Sequence, residues 1–217
     1  LQQSEQTNTN QQPLRSNAAK WINILLWVLI VVLFAVVVVK TFFVVRVDGQ
    51  SMMPTYVDKD IVFVNRFGKV TRGDVVTFYS QKVPPTIFGT VFMSKQDKQQ
   101  YPMLIKRVVA VAGDKIWIQT NTNGEMELWI QPLGQQSYCE QTYSYSRGDN
   151  TFTLPYPSID VNGNKTDNGV LENATQQNPF VVSEGHFFVL GDNRANSRDS
   201  RKYGQISLDS LYGVVIN

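Results

Sequence analysis

Nineteen consecutive positions from Trp21 to Val39 read WINILLWVLIVVLFAVVVV, with Asn23 the one polar side chain among them. At about 1.5 Å per residue a helix of that length spans roughly 28 Å, close to the hydrocarbon thickness of a bilayer. A soluble helix is seldom apolar on every face for five turns, so the pattern predicts a single transmembrane helix over 21–39. A cleavable secretory signal would have a shorter apolar core with small residues at its end. Here Lys40-Thr41-Phe42-Phe43-Val44-Val45 follows instead, and a retained anchor is expected. Residues 1–20 are rich in Gln, Asn, Ser and Thr. They bury too little apolar surface to offset ordering entropy, and a disordered tail is expected there.

Beyond Arg46 the pattern changes to short β-type runs separated by Gly, Asp and Asn. Ile61-Val64, Val75-Tyr79, Leu104-Val111, Lys115-Gln119, Glu127-Ile130, Gly185-Leu190 and Leu211-Ile216 are each rich in β-branched or aromatic residues. No stretch after the anchor carries a long 3.6-residue period. The expected fold is therefore an all-β domain over 41–217, a small barrel or coiled sheet system. Residues 120–184 are richer in Asn, Gln, Thr, Tyr, Gly and Pro and read as an inserted β-ribbon cap. Asn123-Gly124 and Asn162-Gly163 are its hairpin signals. Pro84-Pro85-Thr86-Ile87-Phe88 and Val91-Phe92-Met93 are apolar for a loop, and read equally as a buried strand or as a segment dipping into the outer leaflet.

Composition narrows the chemistry. The 20 basic and 18 acidic residues leave a net charge of +2, which offers nucleic acid no electrostatic footprint. One histidine, His186, and one cysteine, Cys139, cannot supply a His/Cys ligand set, so no metal and no cofactor are expected. A lone cysteine also forbids an intramolecular disulfide. Cys139 lies in the polar run Ser137-Tyr138-Cys139-Glu140-Gln141 and reads as an incidental thiol. His186 reads as part of a turn entering a strand, which argues against a Ser-His-Asp triad.

Three places break the rules of a simple β domain. Lys106 shares a strand face with Leu104, Val108 and Ala110. Burial there would disfavour the ammonium and leave an amine able to accept a proton near neutral pH; an edge-strand lysine, with Arg107 as the buried group, is the plainer alternative. In Asp48-Gly49-Gln50-Ser51-Met52-Met53-Pro54-Thr55, Gly49 permits a sharp turn and Pro54 stiffens the exit, which could present Ser51 at an exposed point. The loop Gly191-Asp192-Asn193-Arg194-Ala195-Asn196-Ser197-Arg198-Asp199-Ser200-Arg201 is either solvated or a polar bracket. In the bracket, Ser197 would position the Lys106 amine while Asp199 and Arg201 hold the loop's shape.

Together, and in this order, these segments resemble the type I signal peptidases. The resemblance rests on Ser51-Met52-Met53-Pro54-Thr55, Asp60-Ile61-Val62-Phe63-Val64, Arg72-Gly73-Asp74-Val75-Val76, Ile105-Lys106-Arg107-Val108-Val109 with Gly113-Asp114, and the Gly191–Arg201 loop. It implies Ser51 as nucleophile, Lys106 as general base, and Ser197, Asp199 and Arg201 in support. It also implies the Ser51 backbone N–H as an oxyanion donor. Two-span members often carry a serine hydroxyl where this chain has Gly49, and Ala195 stands where Asp is usual, which is expected to weaken a local hydrogen bond. The substrate would be a preprotein lying beside strand edges near Phe43–Val45 and Met103–Ile105, with Val45, Val47, Met52 and Ile105 forming shallow pockets for Ala-like side chains.

Basic residues flank both ends of the anchor, so charge does not orient it. The resemblance does: a cytoplasmic tail, and a peptidase domain outside the cytoplasmic membrane, working with the bilayer and the export machinery. A conjugative pilin-processing serine–lysine peptidase and a non-catalytic, membrane-tethered peptide-binding β module are the alternatives. A self-cleaving SOS-type repressor would need a DNA-binding domain where this chain has an anchor, and a sortase would need its reactive Cys after its His.

Overall fold

The computed structural model describes residues 15–80, 102–142, 145–147, 150–157 and 167–216. They form two units, the N-terminal helix and everything from Phe42 onward. The helix α1 runs from Arg15 to Thr41, with an apolar span of Ala19–Val39 long enough to cross a bilayer. Its side chains from Trp21 to Val39 are exposed, the expected state of a helix solvated by lipid. Residues 15–20, expected to belong to the disordered tail, are instead its first turns. Once a long helix is nucleated, each added residue such as Ala18 or Ala19 gains a hydrogen bond at little cost, so the helix runs past the apolar boundary.

The second unit is built on a seven-stranded antiparallel sheet that curls into an open half-barrel. In chain order its strands are β1 (Phe42–Arg46), β2 (Ile61–Asn65), β3 (Val75–Tyr79), β4 (Met103–Val111), β11 (His186–Leu190), β12 (Ile206–Ser207) and β13 (Leu211–Ile216). Their spatial order is β1-β2-β13-β3-β4-β11-β12. β2 shows why one face is inside: Val62 and Val64 are buried while Ile61 and Phe63 are exposed. The inner residues Val47, Met52, Tyr56, Val62, Val64, Val75, Ile105 and Val215 pack into one cluster. β3 and most of β4 are buried on both faces, because a second cluster around Val76, Phe78, Val108, Phe187 and Val189 covers their other side.

Lys115-Gln119 and Glu127-Ile130, the latter within the region expected as an inserted β-ribbon, belong to a second sheet. It comprises β5 (Lys115–Thr120), β6 (Met126–Gln131), β7 (Tyr138–Cys139) and β10 (Phe180–Val181), in the order β10-β5-β6-β7. Alternation tells which side chains face inward, not which sheet a strand joins. The β5–β6 hairpin turns at Asn123-Gly124 as expected, with the Asn121 carboxamide oxygen accepting from the N–H groups of Asn123 and Glu125. A separate hairpin pairs β8 (Tyr145–Arg147) with β9 (Asn150–Phe152). Asn162-Gly163 and the Pro84–Met93 segment lie outside the described residues. The shortest strands, β7 to β10 and β12, are too brief to show a period, and β1 was masked by the apolar run that precedes it.

Asp114 joins the sheets. After the left-handed turn at Gly113, its buried carboxylate takes two contacts of 2.8 Å from Arg72 Nη1 and accepts from the N–H groups of Val111 (2.9 Å) and Leu133 (3.0 Å). Asp114→Ala strands all of these donors and is expected to cost about 2–4 kcal/mol. Denaturant unfolding followed by the stacked Trp117–Trp129 pair of the second sheet measures it. A loss under 1 kcal/mol, well short of a typical buried charged hydrogen-bond deletion, would contradict that role.

Candidate active site

β4 is paired with β3 from Met103 to Arg107, whereas β11 meets it only from Arg107 onward, where Leu190 is the partner. Met103 to Lys106 therefore have one open edge, and the loop leaving β11 at Gly191 starts beside it. Lys106 sits at this junction with only 4% of its surface exposed. Lys106 is therefore not a solvated edge lysine, and Arg107 is buried as well, at 2%.

Ser51 is brought to Lys106 by the long β1–β2 connection. Gly49 takes φ +85°, a left-handed conformation that L side chains rarely adopt, and donates its N–H to Asp58. Met52 is fully buried and pins the turn into the core cluster. The backbone closes behind it, Tyr56 N–H donating to the Met52 carbonyl at 2.9 Å. From the opposite side Asn193 donates its N–H to the Ser51 carbonyl at 3.0 Å and its side-chain amide to Gln50. The Ser51 N–H donates to no protein group among the described residues and is available to an incoming oxyanion.

Lys106 Nζ lies 2.5 Å from Ser51 Oγ and donates to the Ile105 carbonyl at 2.9 Å. Burial is the main influence on the amine and pushes its pKa down from 10.5 to about 8, although the carboxylates of Asp199 and Asp192 pull the other way. An amine partly neutral at physiological pH and in contact with a serine hydroxyl is chemically able to accept its proton.

Asp199 receives Arg201 Nε and Nη2, both at 2.9 Å, caps the helix α2 (Ser200–Tyr203) at Arg201 N, and accepts from Gly191 N at 3.0 Å. Arg201 Nη2 also binds the Arg194 carbonyl. The expectation for Ser197 differs from the geometry. Its buried hydroxyl has no hydrogen-bond partner among the described residues, and Lys106 is held by Ser51 and Ile105. Ser197 is nonetheless adjacent: a Cβ on Gly191 would fall 2.1 Å from Ser197 Oγ and 2.5 Å from the Ser51 carbonyl, so only glycine lets nucleophile and loop approach.

Of the expected pocket residues, Val45 and Ile105 line a cleft of about 150 Å³ together with Ser51, Lys106, Thr77 and Met103. Val47 and Met52 do not line it; both are buried in the core cluster. Cys139 is half-buried and contacts Gln141, while His186 lies at the opposite end of β11 from the loop, against the Glu184 carbonyl. Neither joins the site.

Sequence reasoning missed a layer beneath it. Arg107 grips both oxygens of Asp192, Nε at 2.8 Å and Nη2 at 2.7 Å, and donates Nη1 to the Gly73 carbonyl. Thr55 Oγ1 donates to the same carboxylate. Arg194 is paired with Glu140 at 2.5 Å, both side chains all but inaccessible. The adjacent cations Lys106 and Arg107 inside the apolar β4 run hinted at Arg107; nothing in the sequence marked Glu140.

A serine and a buried lysine in contact, beside an open strand edge and a small cleft, define a hydrolase of the serine–lysine peptidase class. Comparison with known proteins agrees: residues 18–216 match the family model "Signal peptidase, peptidase S26", and the chain belongs to that family. It is 29% identical over 202 residues to signal peptidase IB of Staphylococcus aureus strain COL, spanning 88% of this chain and 87% of that protein. It is 27% identical over 176 residues to signal peptidase I of Bacillus caldolyticus, spanning 78% and 74%. A crystal structure of signal peptidase I from Enterococcus faecalis V583 aligns with a TM-score of 0.36 at 24% identity, covering 69% of this chain and 98% of that one.

The depressed lysine also carries a stability consequence. Between about pH 8 and 10.5 the unfolded chain binds a proton that folded Lys106 does not, so stability rises with pH through that window. Below pH 8 the folded state must hold a poorly solvated ammonium. Lys106→Met removes that cost, and its unfolding free energy at pH 7 is expected to exceed the parent's by about 1–3 kcal/mol, the gap closing towards pH 10.5. Equal thermal midpoints at pH 7 would show that burial does not strain the lysine.

Proposed function

We propose that this membrane-anchored serine endopeptidase removes signal peptides from exported preproteins through a Ser51 acyl-enzyme, with Lys106 as general base. The carrying observation is the 2.5 Å contact between Ser51 Oγ and the buried Lys106 amine. Neutral Lys106 takes the Ser51 proton as Oγ attacks the scissile carbonyl, and the oxyanion meets the Ser51 N–H. The ammonium then protonates the leaving amine, and the amine regenerated activates water to release the acyl group. A module that only captured peptides would have no use for so costly a burial of a lysine.

The open edge of β4 supports an extended substrate pairing with its main chain, as in strand addition. The cleft beside Val45 and Ile105, only about 150 Å³, suits small side chains near the scissile bond. Asp199, Arg201 and, by its position, Ser197 are support for the base rather than reacting groups.

Location is read from chemistry. Signal-peptide cleavage sites emerge on the outer face, which supports a location of 41–217 outside the cytoplasmic membrane and of the tail inside, with preproteins arriving from the export machinery. Val44, Phe63 and Ile216, cross-strand neighbours on β1, β2 and β13, form an exposed apolar row on the outer face of the sheet. Such a row suits a lipid surface, and β1 begins at the residue after the anchoring helix.

Incubating the chain with a synthetic signal-peptide substrate tests this reading. Ser51→Ala and Lys106→Ala are each expected to lose cleavage by about 10⁴-fold or more while remaining folded. Normal processing by either variant would overturn the assignment. The pH profile is a second check: because the base must be neutral and its pKa is about 8, kcat/KM is expected to rise about tenfold per pH unit below 8 and level off above it. A flat profile from about pH 5 to 9 excludes Lys106 as the base.

A further inference from the structure

Resting on Ser51 and Lys106 as nucleophile and base, we propose that Glu140 and Tyr145, outside the half-barrel, are positioning residues that hold the catalytic loop through Arg194 and Arg107. Glu140 follows β7 of the second sheet and is fully buried. One of its oxygens receives both Arg194 Nη2 at 2.5 Å and the Tyr145 hydroxyl at 2.7 Å. The Tyr145 ring lies 4.3 Å from the Arg107 guanidinium, a cation–π contact that is strong only because water is absent.

Both arginines lead into the site. Arg107 follows Lys106 in β4 and holds Asp192 by both oxygens. Arg194 donates its N–H to the Asp192 carbonyl, and its own carbonyl receives Arg201, the partner of Asp199. Asp192 and Asp199 are the two carboxylates that act on the Lys106 amine. Two independent contacts therefore run from Glu140 and Tyr145 to the groups that set the charge around the base.

The arrangement is poorly chosen for stability alone. Glu140 Oε2 and Arg194 Nε and Nη1 are buried without hydrogen-bond partners among the described residues. A buried ion pair that leaves polar atoms unsatisfied is often no better than an apolar pair of the same volume. What it does supply is direction, because it fixes Arg194 at one place in the loop.

The test measures kcat, KM and the pH profile of the full chain on a signal-peptide substrate, with active sites counted by an acylating inhibitor. Glu140→Gln and Tyr145→Phe are each expected to lower kcat per counted site about tenfold while KM stays within about twofold. In Glu140→Gln the unopposed Arg194 cation competes with Lys106 for Asp192 and Asp199. The lysine then deprotonates more easily, and the acidic limb moves to lower pH. The double variant Glu140→Gln/Arg194→Gln removes that cation and is expected to return the limb towards its parental position, which a merely structural pair would not do. If Glu140→Gln does not fold, Tyr145→Phe, which leaves every buried charge paired, decides through its kcat. Parental kcat per counted site and a parental limb in the folded variants would overturn the proposal alone. A parent chain that does not cleave would overturn the peptidase reading and this proposal with it.

Discussion

The contact between a buried amine and a serine hydroxyl places the strictest demand on this protein. An ammonium in an apolar setting loses much of its hydration, and the folded chain must tolerate that loss to keep a usable base. The tolerance is balanced: burial drives the Lys106 proton off, while Asp192 and Asp199 limit how far. Without the carboxylates the chain would hold a weaker base; with them closer, the amine would stay protonated at working pH.

The architecture can be understood as support for that balance. β11 stops short of the end of β4, which leaves an edge for an extended peptide and a start for the polar loop at the same point. The hydrophobic cluster under Met52 fixes the nucleophile from below, and Asn193 ties the serine backbone from across the cleft. Gly191 is the close-approach residue between them, where a single methyl group would meet both Ser51 and Ser197. Arg107, Arg194 and Arg201 then hold the loop's carboxylates and carbonyls from the buried side, where low dielectric makes each such bond both stronger and less forgiving.

Much of this was legible along the chain because the signals were local. Apolar continuity identified the anchor, β-branched runs located the main strands within a residue or two, and the order of the charged motifs identified the family. Less local features were misread. Lys115-Gln119 looks like any half-buried strand, and its own pattern does not tell that it pairs with Glu127-Ile130 in a second sheet rather than joining the first. Val47 and Met52 were expected at the pocket wall because they flank the nucleophile. Both are instead buried in the core cluster, Val47 just past the end of β1 and Met52 within a turn. Ser197 was expected to touch the base, but a hydroxyl's reach depends on loop geometry that residue type does not encode.

Read alone, the sequence established that the chain carries an anchor, that its domain is built of strands, and that Ser51 and Lys106 are the pair to examine. Periodicity and residue chemistry report on such properties directly. It could not show that those residues meet at 2.5 Å, that burial brings the amine to about 8, or that Glu140 and Tyr145 stand behind the loop. Those facts arise from desolvation and from contacts between residues 50 to 90 positions apart, which exist only once the sheet has curled and closed over them.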